Sequence, residues 1–190
     1  MKDSLEITKE AVVHMVPVME AEGLEELASL ASENGCQSML EIGTAVARTA
    51  VYMAEQGLTV ATIERDPDMI RQARKNIAES GKPVTLIEGD ALETAVTGPF
   101  DLIFIDAAKS QYRRFFERYS PLLSENGIIV TDNMKFHGMV DHPEMTENRH
   151  TRGLIRRLRE YRRFLEGLED WTTEFLDDKG DGIAVSRRKR

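Results

Sequence analysis

Residues 38–50 read SMLEIGTAVARTA, which is a short apolar run, a glycine and then a second run that can form a helix. SMLEI has the length and composition of a buried strand. Gly43 follows it directly, and a glycine at that point lets the backbone turn and come close to a ligand. The residues after the glycine predict a helix. A strand that leads through a glycine turn into a helix is the repeating unit of a parallel sheet covered by helices.

The same alternation continues along the rest of the chain. Asp66 and Pro67 predict the cap and first turn of a helix that ends at Gly81. Pro17 predicts the first turn of an earlier helix that stops at Gly35, and QYRRFFERYSPLL predicts another helix. The remaining short apolar runs predict strands at 58–64, 84–89, 100–106 and 127–132.

The C-terminal stretch WTTEFLDDKGDGIAVSRR has a different pattern, because two β-rich runs flank the turn sequence DKGDG. This pattern predicts an antiparallel hairpin beside the five parallel strands. The sequence therefore predicts an α/β fold: a doubly wound, mostly parallel, seven-stranded sheet with an antiparallel C-terminal hairpin.

Length and composition limit the classes of protein that remain. We expect one domain over residues 1–190, and Cys36 is the only cysteine, so no intrachain disulfide can form. No apolar run approaches the roughly 20 residues of a membrane span, so we expect a soluble, cytoplasmic protein without a membrane partner. The net charge of −8 disfavours a general nucleic-acid binder, although residues 149–190 hold 12 Lys+Arg against 8 Asp+Glu.

Acidic or glycine-rich sequence follows each predicted parallel strand. The carboxyl ends of parallel strands meet at one edge of a sheet, which is where open α/β sheets bind ligands. We therefore expect one site that collects these residues: Glu41 with Gly43, Glu64, Gly89 with Asp90, Asp106, and Asp132 with Asn133.

Glu64 lies 23 residues after Glu41, at the end of the second strand. A carboxylate at that distance can accept hydrogen bonds from ribose hydroxyls. A dinucleotide would need the pattern G-x-G-x-x-G, but Ala45 and Ala47 replace the further glycines. S-adenosylmethionine has no phosphate and does not need them. An NAD-dependent dehydrogenase and an ordinary strand-to-helix turn remain alternatives.

Asp106, Asp132 and Asn133 end neighbouring strands and offer three oxygen ligands. Hard oxygen ligands without thiolate or imidazole favour Mg²⁺, or Ca²⁺ or Mn²⁺, over zinc. The alternative for Asp132 and Asn133 is that they cap a helix. The alternative for Lys109, three residues after Asp106, is a solvated lysine.

The segments LEIGTAVARTA, TIERD, EGDALE, FDLIFIDAAKSQY and GIIVTDN occur in an order and spacing that resembles the cation-dependent class I O-methyltransferases. This is the Rossmann-like family of catechol and caffeoyl-coenzyme A methyltransferases, and the resemblance covers about residues 12–188. It implies an enzyme that uses S-adenosylmethionine and a divalent cation. In the cofactor site it implies that Glu41, Gly43, Thr49 and Asp106 surround the methionine end, Glu64 binds the ribose, Asp90 and Ala91 hold the adenine, and Met19 closes the pocket.

The resemblance also implies that Asp106, Asp132 and Asn133 bind the metal, and that Lys109 lies beside the accepting hydroxyl. Asp106 and Lys109 are then the catalytic residues. Ala47 and Arg48 depart from the family, which usually has Gly and Tyr there, and we expect a less tightly held cofactor. The family's N-terminal helix, which often contributes to dimers, is short here, so homodimer formation stays open.

Within the family, IDAAKSQYRRFFERYSPLL, TDNMKFHGMV and DGIAVSRRKR resemble the bacterial enzymes that methylate 5-hydroxyuridine at the tRNA wobble position to give 5-methoxyuridine. That resemblance implies a tRNA partner. The alternatives are a catechol-type enzyme with a small hydroxylated aromatic substrate, and a binding module without activity.

The segment RHTRGLIRRLREYRRFLEGLE contains seven arginines between Arg149 and Arg163 against one acid, Glu160. Its apolar residues follow helical spacing, so one face should pack on the sheet. We interpret Arg149, Arg152 and Arg156, together with the terminal SRRKR, as phosphate contacts, and Phe136 or Tyr112 as a stacking partner for an extruded base. The alternative is a solvated surface helix.

Overall fold

The computed structural model of the protein describes residues 1–189, and a sheet of seven strands forms its centre. The strands across the sheet are ordered β3-β2-β1-β4-β5-β7-β6. The first five strands of the chain pair in parallel, while β7 is antiparallel to both β5 and β6. The predicted fold class is thus confirmed. The strands are β1 (Ser38–Ile42), β2 (Thr59–Glu64), β3 (Val84–Glu88), β4 (Phe100–Ile105), β5 (Leu123–Thr131), β6 (Trp171–Leu176) and β7 (Ile183–Arg188).

Six α-helices cover the two faces of this sheet. Side chains from the first four helices share one core cluster, and side chains from the last two share the other. Among the described residues, none of the helices has the length and hydropathy that a membrane crossing requires. The helices are α1 (Ser4–Val13), α2 (Ala21–Glu33), α3 (Arg48–Glu55), α4 (Pro67–Ser80), α5 (Tyr112–Tyr119) and α6 (Arg149–Glu166).

Alternation along β1 determines which groups lie on which face. Met39 joins the core cluster under α1–α4, whereas Leu40 and Ile42 join the cluster under α5 and α6. Side chains in a strand point alternately to opposite faces, so Glu41 shares the face of Met39. Both faces of the central strands are buried, which explains their continuous apolar runs.

The caps predicted for α4 are confirmed. The Asp66 side chain accepts hydrogen bonds from the backbone N–H groups of Asp68 and Met69, Pro67 begins the helix, and Gly81 ends it with a left-handed φ of 63°. The apolar residues Leu24, Leu27, Leu30 and Ala31 of α2 are buried.

The predicted start of α2 at Pro17 is wrong, because the helix begins at Ala21, with Glu20 as its N-cap residue. Residues 17–19 instead form an irregular connection beside a cavity. The sequence analysis also missed α1, although Asp3 and Glu6 form a capping box at its start. Strand β5 begins at Leu123 rather than 127, because Leu123 pairs with Phe100 before a register shift.

Asp101 connects the starts of β1, β4 and β5 by hydrogen bonds. These starts lie at the edge of the sheet opposite the carboxyl ends of the parallel strands. Its carboxylate accepts hydrogen bonds from the backbone N–H groups of Gln37 and Ser38 and from the hydroxyls of Ser38 and Ser124. Burial acts to raise the pKa of Asp101, but these hydrogen bonds outweigh it and hold the pKa below its ordinary value. The folded protein therefore favours the ionised carboxyl.

We predict that Asp101→Asn lowers the free energy of unfolding by about 1–3 kcal/mol at pH 7. Because the folded pKa is depressed, the stabilisation is present above the unfolded pKa of about 4 and is lost as the pH falls through the folded pKa. Urea unfolding from pH 7 to pH 3 measures this, and the difference between the two proteins should shrink towards pH 3. Asp178→Asn, at an exposed position, is the control. An equal effect of both substitutions at pH 7 would contradict the assignment.

Candidate active site

A cavity of about 730 Å³ opens at the carboxyl ends of β1 to β5. Polar residues that follow these strands share this cavity with the connection before α2. The predicted site residues that line it are Met19, Gly43, Glu64, Asp90, Ala91, Asp106, Lys109, Asp132, Asn133 and Phe136. The predicted site residues that do not line it are Glu41, Thr49, Arg149, Arg152, Arg156 and Tyr112, and Tyr112 is buried in the core and cannot stack on a base.

Gly43 brings the ends of β1 and β4 into direct contact. Its φ is +100°, and a Cβ atom added there would lie 2.1 Å from the carbonyl oxygen of Asp106. The Asp106 N–H donates to the carbonyl of Ile42, and the Gly43 N–H donates to the carbonyl of Ile63. No residue with a side chain fits this position without moving Asp106.

Glu64 forms one wall of the cavity with a fixed carboxylate. One oxygen accepts the backbone N–H of Ala45 at 2.8 Å, and the other accepts those of Arg65 and Asp66 at 2.9 Å each. An ionised carboxylate has about four acceptor positions, so one remains for a ligand hydroxyl. The Ala45 backbone adopts a left-handed φ of 47° to make its contact.

Asp90 and Ala91 lie in the wall next to Glu64. The Leu92 backbone N–H and the Arg65 guanidinium donate to the Asp90 carboxylate, and the pKa of Asp90 is lowered, mainly by the hydrogen bond from Leu92. The Tyr119 hydroxyl donates to the carbonyl of Ala91. This part of the cavity is therefore built from fixed backbone and one ionised carboxylate.

Glu41 and Thr49 are buried behind the cavity wall. The Thr62 hydroxyl donates to the Glu41 carboxyl at 2.5 Å and lies 2.6 Å from the hydroxyl of Thr44. Burial raises the pKa of Glu41 to about 8, and the charges of Asp106 and Glu64 act in the same direction. Glu41 is therefore largely protonated at neutral pH and supports the turn after β1 from beneath.

Asp106, Asp132 and Asn133 meet at the far end of the cavity, where β4 and β5 end. Burial raises the pKa of both aspartates, and the charge of Asp106 raises the pKa of Asp132 further, while Lys109 opposes the shift at Asp106. The Lys109 ammonium donates to the side-chain oxygen of Asn133. It also lies 5.8 Å from the centre of the Phe136 ring.

This donor set is suited to a hard cation. Two buried carboxylates repel each other, and a divalent ion between them would offset that repulsion. In the part of the chain that the structure describes, no three His, Cys, Asp or Glu side chains form a metal-binding group. A cation here therefore depends on the Asn133 amide as its third protein donor. In the structure no described helix begins at Asp132 or Asn133, which excludes the capping alternative.

The loop after β5 carries Phe136 and is held in a strained conformation. Asn133, Phe136 and His137 all have left-handed φ values of 48–56°, a region that bulky residues rarely adopt. The turn between β6 and β7 holds this loop, because the carbonyls of Gly182 and Asp181 accept the N–H groups of Met134 and Lys135.

Asp181 is a cavity residue that the sequence analysis missed. One carboxylate oxygen accepts the backbone N–H of His137, while the other is buried without a hydrogen-bond partner among the described residues. Its charge also raises the pKa of Asp132. The only sequence signal was the turn motif DKGDG, which predicted the hairpin but not its contact with the site.

Helix α6 carries four of its seven arginines in one stripe on the face opposite the sheet. Ile155, Leu158 and Leu165 are buried against the strands. At 3.6 residues per turn, the exposed residues Arg149, Arg152, Arg156 and Arg163 form one stripe on the opposite face. None of the first three contacts the cavity directly. Arg190, the last residue of the predicted basic ending SRRKR, lies outside the described residues.

Comparison with known proteins agrees with this geometry. A family model described as O-methyltransferase matches residues 1–189, and the chain belongs to this family of class I methyltransferases. A crystal structure from Staphylococcus aureus, provisionally assigned as a caffeoyl-CoA O-methyltransferase, is 34% identical with a TM-score of 0.93, covering 100% of this chain and 93% of that one. The SAH-bound Podospora anserina methyltransferase PaMTH1 is 27% identical with a TM-score of 0.88, covering 100% and 89%.

Curated relatives share shorter regions. A catechol O-methyltransferase from Mycobacterium tuberculosis is 34% identical over 117 residues, which is 57% of this chain and 53% of the relative. The matches to the first such relatives span about half of each relative's length, between 51% and 57%. The predicted family is therefore confirmed, while the acceptor and the reaction of this chain require a separate argument.

We predict that Gly43→Ala destabilises the protein and disrupts both ends of the cavity, because the new methyl group must displace the Asp106 carbonyl. The matched control is Gly57→Ala, whose φ of +99° is similar but whose Cβ would meet nothing within 4 Å. The control carries only the backbone strain of about 1–2 kcal/mol. Thermal unfolding should show a clearly larger loss for Gly43→Ala. Equal losses for the two variants would contradict the close-contact argument.

Proposed function

We propose that the protein transfers the methyl group of S-adenosylmethionine to a hydroxyl oxygen of an acceptor held at a divalent cation. One observation carries the proposal: a single cavity contains a fixed carboxylate suited to a ribose, Glu64, and a hard-oxygen cluster of Asp106, Asp132 and Asn133. The family supports a transferase over the NAD-dependent dehydrogenase alternative.

The cofactor would lie along the wall formed by the ends of β1, β2 and β3. Glu64 would accept a ribose hydroxyl, Asp90 and Ala91 would hold the adenine, and Gly43 and Met19 would enclose the methionine end. Glu41 and Thr49 would act from behind the wall by fixing the turn. When bound, S-adenosylmethionine supplies the reactive methyl group on its sulfonium centre.

Asp106, Asp132 and Asn133 would hold the cation, for which Mg²⁺ is the first candidate and Ca²⁺ or Mn²⁺ the alternatives. A divalent cation there would hold two neighbouring acceptor oxygens and make the reacting hydroxyl more acidic. Because the pKa values of Asp106 and Asp132 are raised, cation affinity should rise with pH as these carboxyls lose their protons.

Lys109 is the proposed proton-handling residue of the site. Its ammonium contacts Asn133 and the Phe136 ring, so it borders both the oxygen cluster and the place for a planar acceptor. We infer that Lys109 orients the hydroxyl and, as the neutral amine left after it releases a proton to solvent, accepts the hydroxyl proton. The protein's remaining contribution to catalysis is the alignment of cofactor and acceptor, which for two bound reactants can lower the activation barrier by about 7–11 kcal/mol.

We predict that Lys109→Met lowers turnover by about 100-fold or more at pH 7, because proton transfer by a positioned group contributes about that much. Cofactor binding should be unchanged, since Lys109 belongs to the other end of the cavity. The matched control is Lys135→Met, because Lys135 pairs with Asp141 in the neighbouring loop. Near-normal turnover of Lys109→Met in a labelled-methyl assay would exclude a catalytic role.

For the acceptor, we propose 5-hydroxyuridine at the tRNA wobble position, with 5-methoxyuridine as the product. Its 5-hydroxyl and 4-carbonyl are neighbouring oxygens that one cation can hold. The stripe of Arg149, Arg152 and Arg156 supports a phosphate-bearing partner, since only Arg156 among them has a carboxylate partner, Glu160. Phe136 in the cavity wall could stack on an extruded base.

A catechol-type small molecule is the second candidate. It also offers two neighbouring oxygens, and the printed names of curated relatives include catechol O-methyltransferases. Under this alternative the arginine stripe is a solvated surface. The two candidates share every residue of the cavity and differ only in the use of α6.

The deciding experiment measures labelled methyl transfer to tRNA bearing 5-hydroxyuridine and, in parallel, to a simple catechol, each with Mg²⁺ and with EDTA. The test variant replaces Arg149, Arg152 and Arg156 with Ala. Its matched control replaces three exposed cations of α4, namely Arg71, Arg74 and Lys75. We predict that the α6 variant loses tRNA methylation but keeps catechol methylation, while the α4 variant keeps both.

The salt dependence gives a second measure. Removal of three phosphate contacts to a single-stranded loop should reduce the log–log salt slope of tRNA binding by about 2. Labelling of catechol alone would favour the second candidate. Transfer to tRNA that is equally affected by both triple variants would exclude a specific role of the α6 stripe, and labelling of neither acceptor would oppose the proposed activity.

A further inference from the structure

Arg48 is a buried cation without an acidic partner in the described part of the chain. Its side chain is 8% exposed, and its guanidinium donates to two neutral oxygens: the Met19 carbonyl at 2.9 Å and the Thr8 hydroxyl at 3.0 Å. Burial lowers the pKa of this guanidinium. Arg48 is also the first residue of α3, where the helix dipole disfavours a positive charge. Packing alone does not explain an arginine at this position.

The acceptor of the first hydrogen bond belongs to the cavity wall. Pro17, Val18 and Met19 belong to the connection between α1 and α2. They line the cavity and have no regular secondary structure. Within residues 1–189, no other hydrogen bond reaches these three residues. The position of this segment therefore depends on one polar contact, which comes from Arg48.

Apolar contacts fix the Met19 side chain but not the segment's backbone. Met19 is 6% exposed, and a Cβ atom added to Gly23 would lie 2.9 Å from the Met19 methyl group. The side chain thus fills the space that Gly23 leaves in α2. The Arg48 contact holds the backbone of the same residue from the opposite side, through α3.

We propose that Arg48 is a positioning residue that fixes residues 17–19 as the wall closing the cofactor end of the cavity. It acts on the cofactor through Met19 and does not need to touch it. Cofactor affinity depends on Arg48, whereas the methyl-transfer step does not.

The primary test measures the dissociation constant of S-adenosylhomocysteine by calorimetry, with the full chain and without metal or acceptor. Arg48→Met keeps the length of the side chain but removes its donors, and should weaken binding by about tenfold. Arg48→Lys retains one donor and should recover most of the affinity. Thr8→Val, which removes only the second partner of Arg48, is the matched control and should bind as the wild type does.

Kinetics separate positioning from general damage to the fold. Arg48→Met should raise the KM for S-adenosylmethionine with little change in kcat. The kinetic assay can use either tRNA or a catechol as the acceptor. A negative result for Arg48 can therefore be distinguished from a negative result for the tRNA proposal. Wild-type affinity of Arg48→Met, or an equal loss of affinity in Thr8→Val, would overturn the inference.

A measurement on the wild type covers the case in which Arg48→Met does not fold. In hydrogen exchange, the amides of Val18 and Met19 should gain protection when S-adenosylhomocysteine binds, because the wall closes on the ligand. An unchanged exchange rate in this segment on ligand binding would overturn the inference irrespective of any variant.

Discussion

The contact between Gly43 and the Asp106 carbonyl is the constraint on which the rest of the site depends. Strands β1 and β4 are neighbours, with Ile42 paired to Ile105. The two strands end side by side. After β1 the chain continues into the proposed cofactor wall, and after β4 it continues into the oxygen cluster. Because no Cβ separates the two backbones, the distance between these two halves of the cavity is fixed by the sheet itself. Chemistry that requires alignment of two reactants is well served by such a junction.

Electrostatics explains why the oxygen cluster needs this rigid support. Asp106, Asp132 and Asp181 are three buried or half-buried carboxyls on different elements, and the ammonium of Lys109 is directed at Asn133 rather than at any of them. Burial raises the pKa of Asp106 and Asp132, and the charges of Asp106 and Asp181 raise the pKa of Asp132 further. The protein holds them together through backbone contacts: the hairpin before β7 supports the loop after β5, and that loop supports Phe136.

The parts of this structure that the sequence predicted are those determined by local signals. The acidic residues at the strand ends, Glu64, Asp90, Asp106 and Asp132, predicted a site at one edge of the sheet, because parallel strands bring their carboxyl ends together. The cap at Asp66 and the hairpin around DKGDG were predicted for the same reason. Local signals failed where tertiary contacts decide: Pro17 looked like a helix start, yet the backbone of its segment is held by Arg48, 29 residues away from Met19.

The same distinction explains where the cavity differs from the expected site. Nothing near Asp181 in the sequence indicates that the β6–β7 turn reaches the loop after β5, since that contact exists only once β7 has inserted beside β5. Glu41 and Thr49 were expected at the cofactor, but the alternation of side chains along β1 directs Glu41 beneath the turn, where it meets Thr62. A strand pattern specifies the face of a residue. Whether that face borders the cavity depends on the packing of α3.

The two halves of the cavity come from different parts of the chain, and this separates cofactor binding from acceptor choice. Residues up to Ala91 form most of the proposed cofactor wall, whereas the loop after β5 and the turn between β6 and β7 border the oxygen cluster, and helix α6 packs outside the cavity. On α6, Arg159 donates to the Val140 carbonyl and Arg162 pairs with Asp177, so these two arginines serve the fold. Arg149, Arg152 and Arg156 of the exposed stripe add no buried side chain to the core, although Arg152 donates to the Thr146 carbonyl. Their concentration of positive charge in a chain of net charge −8 is the feature that a small neutral acceptor leaves unexplained.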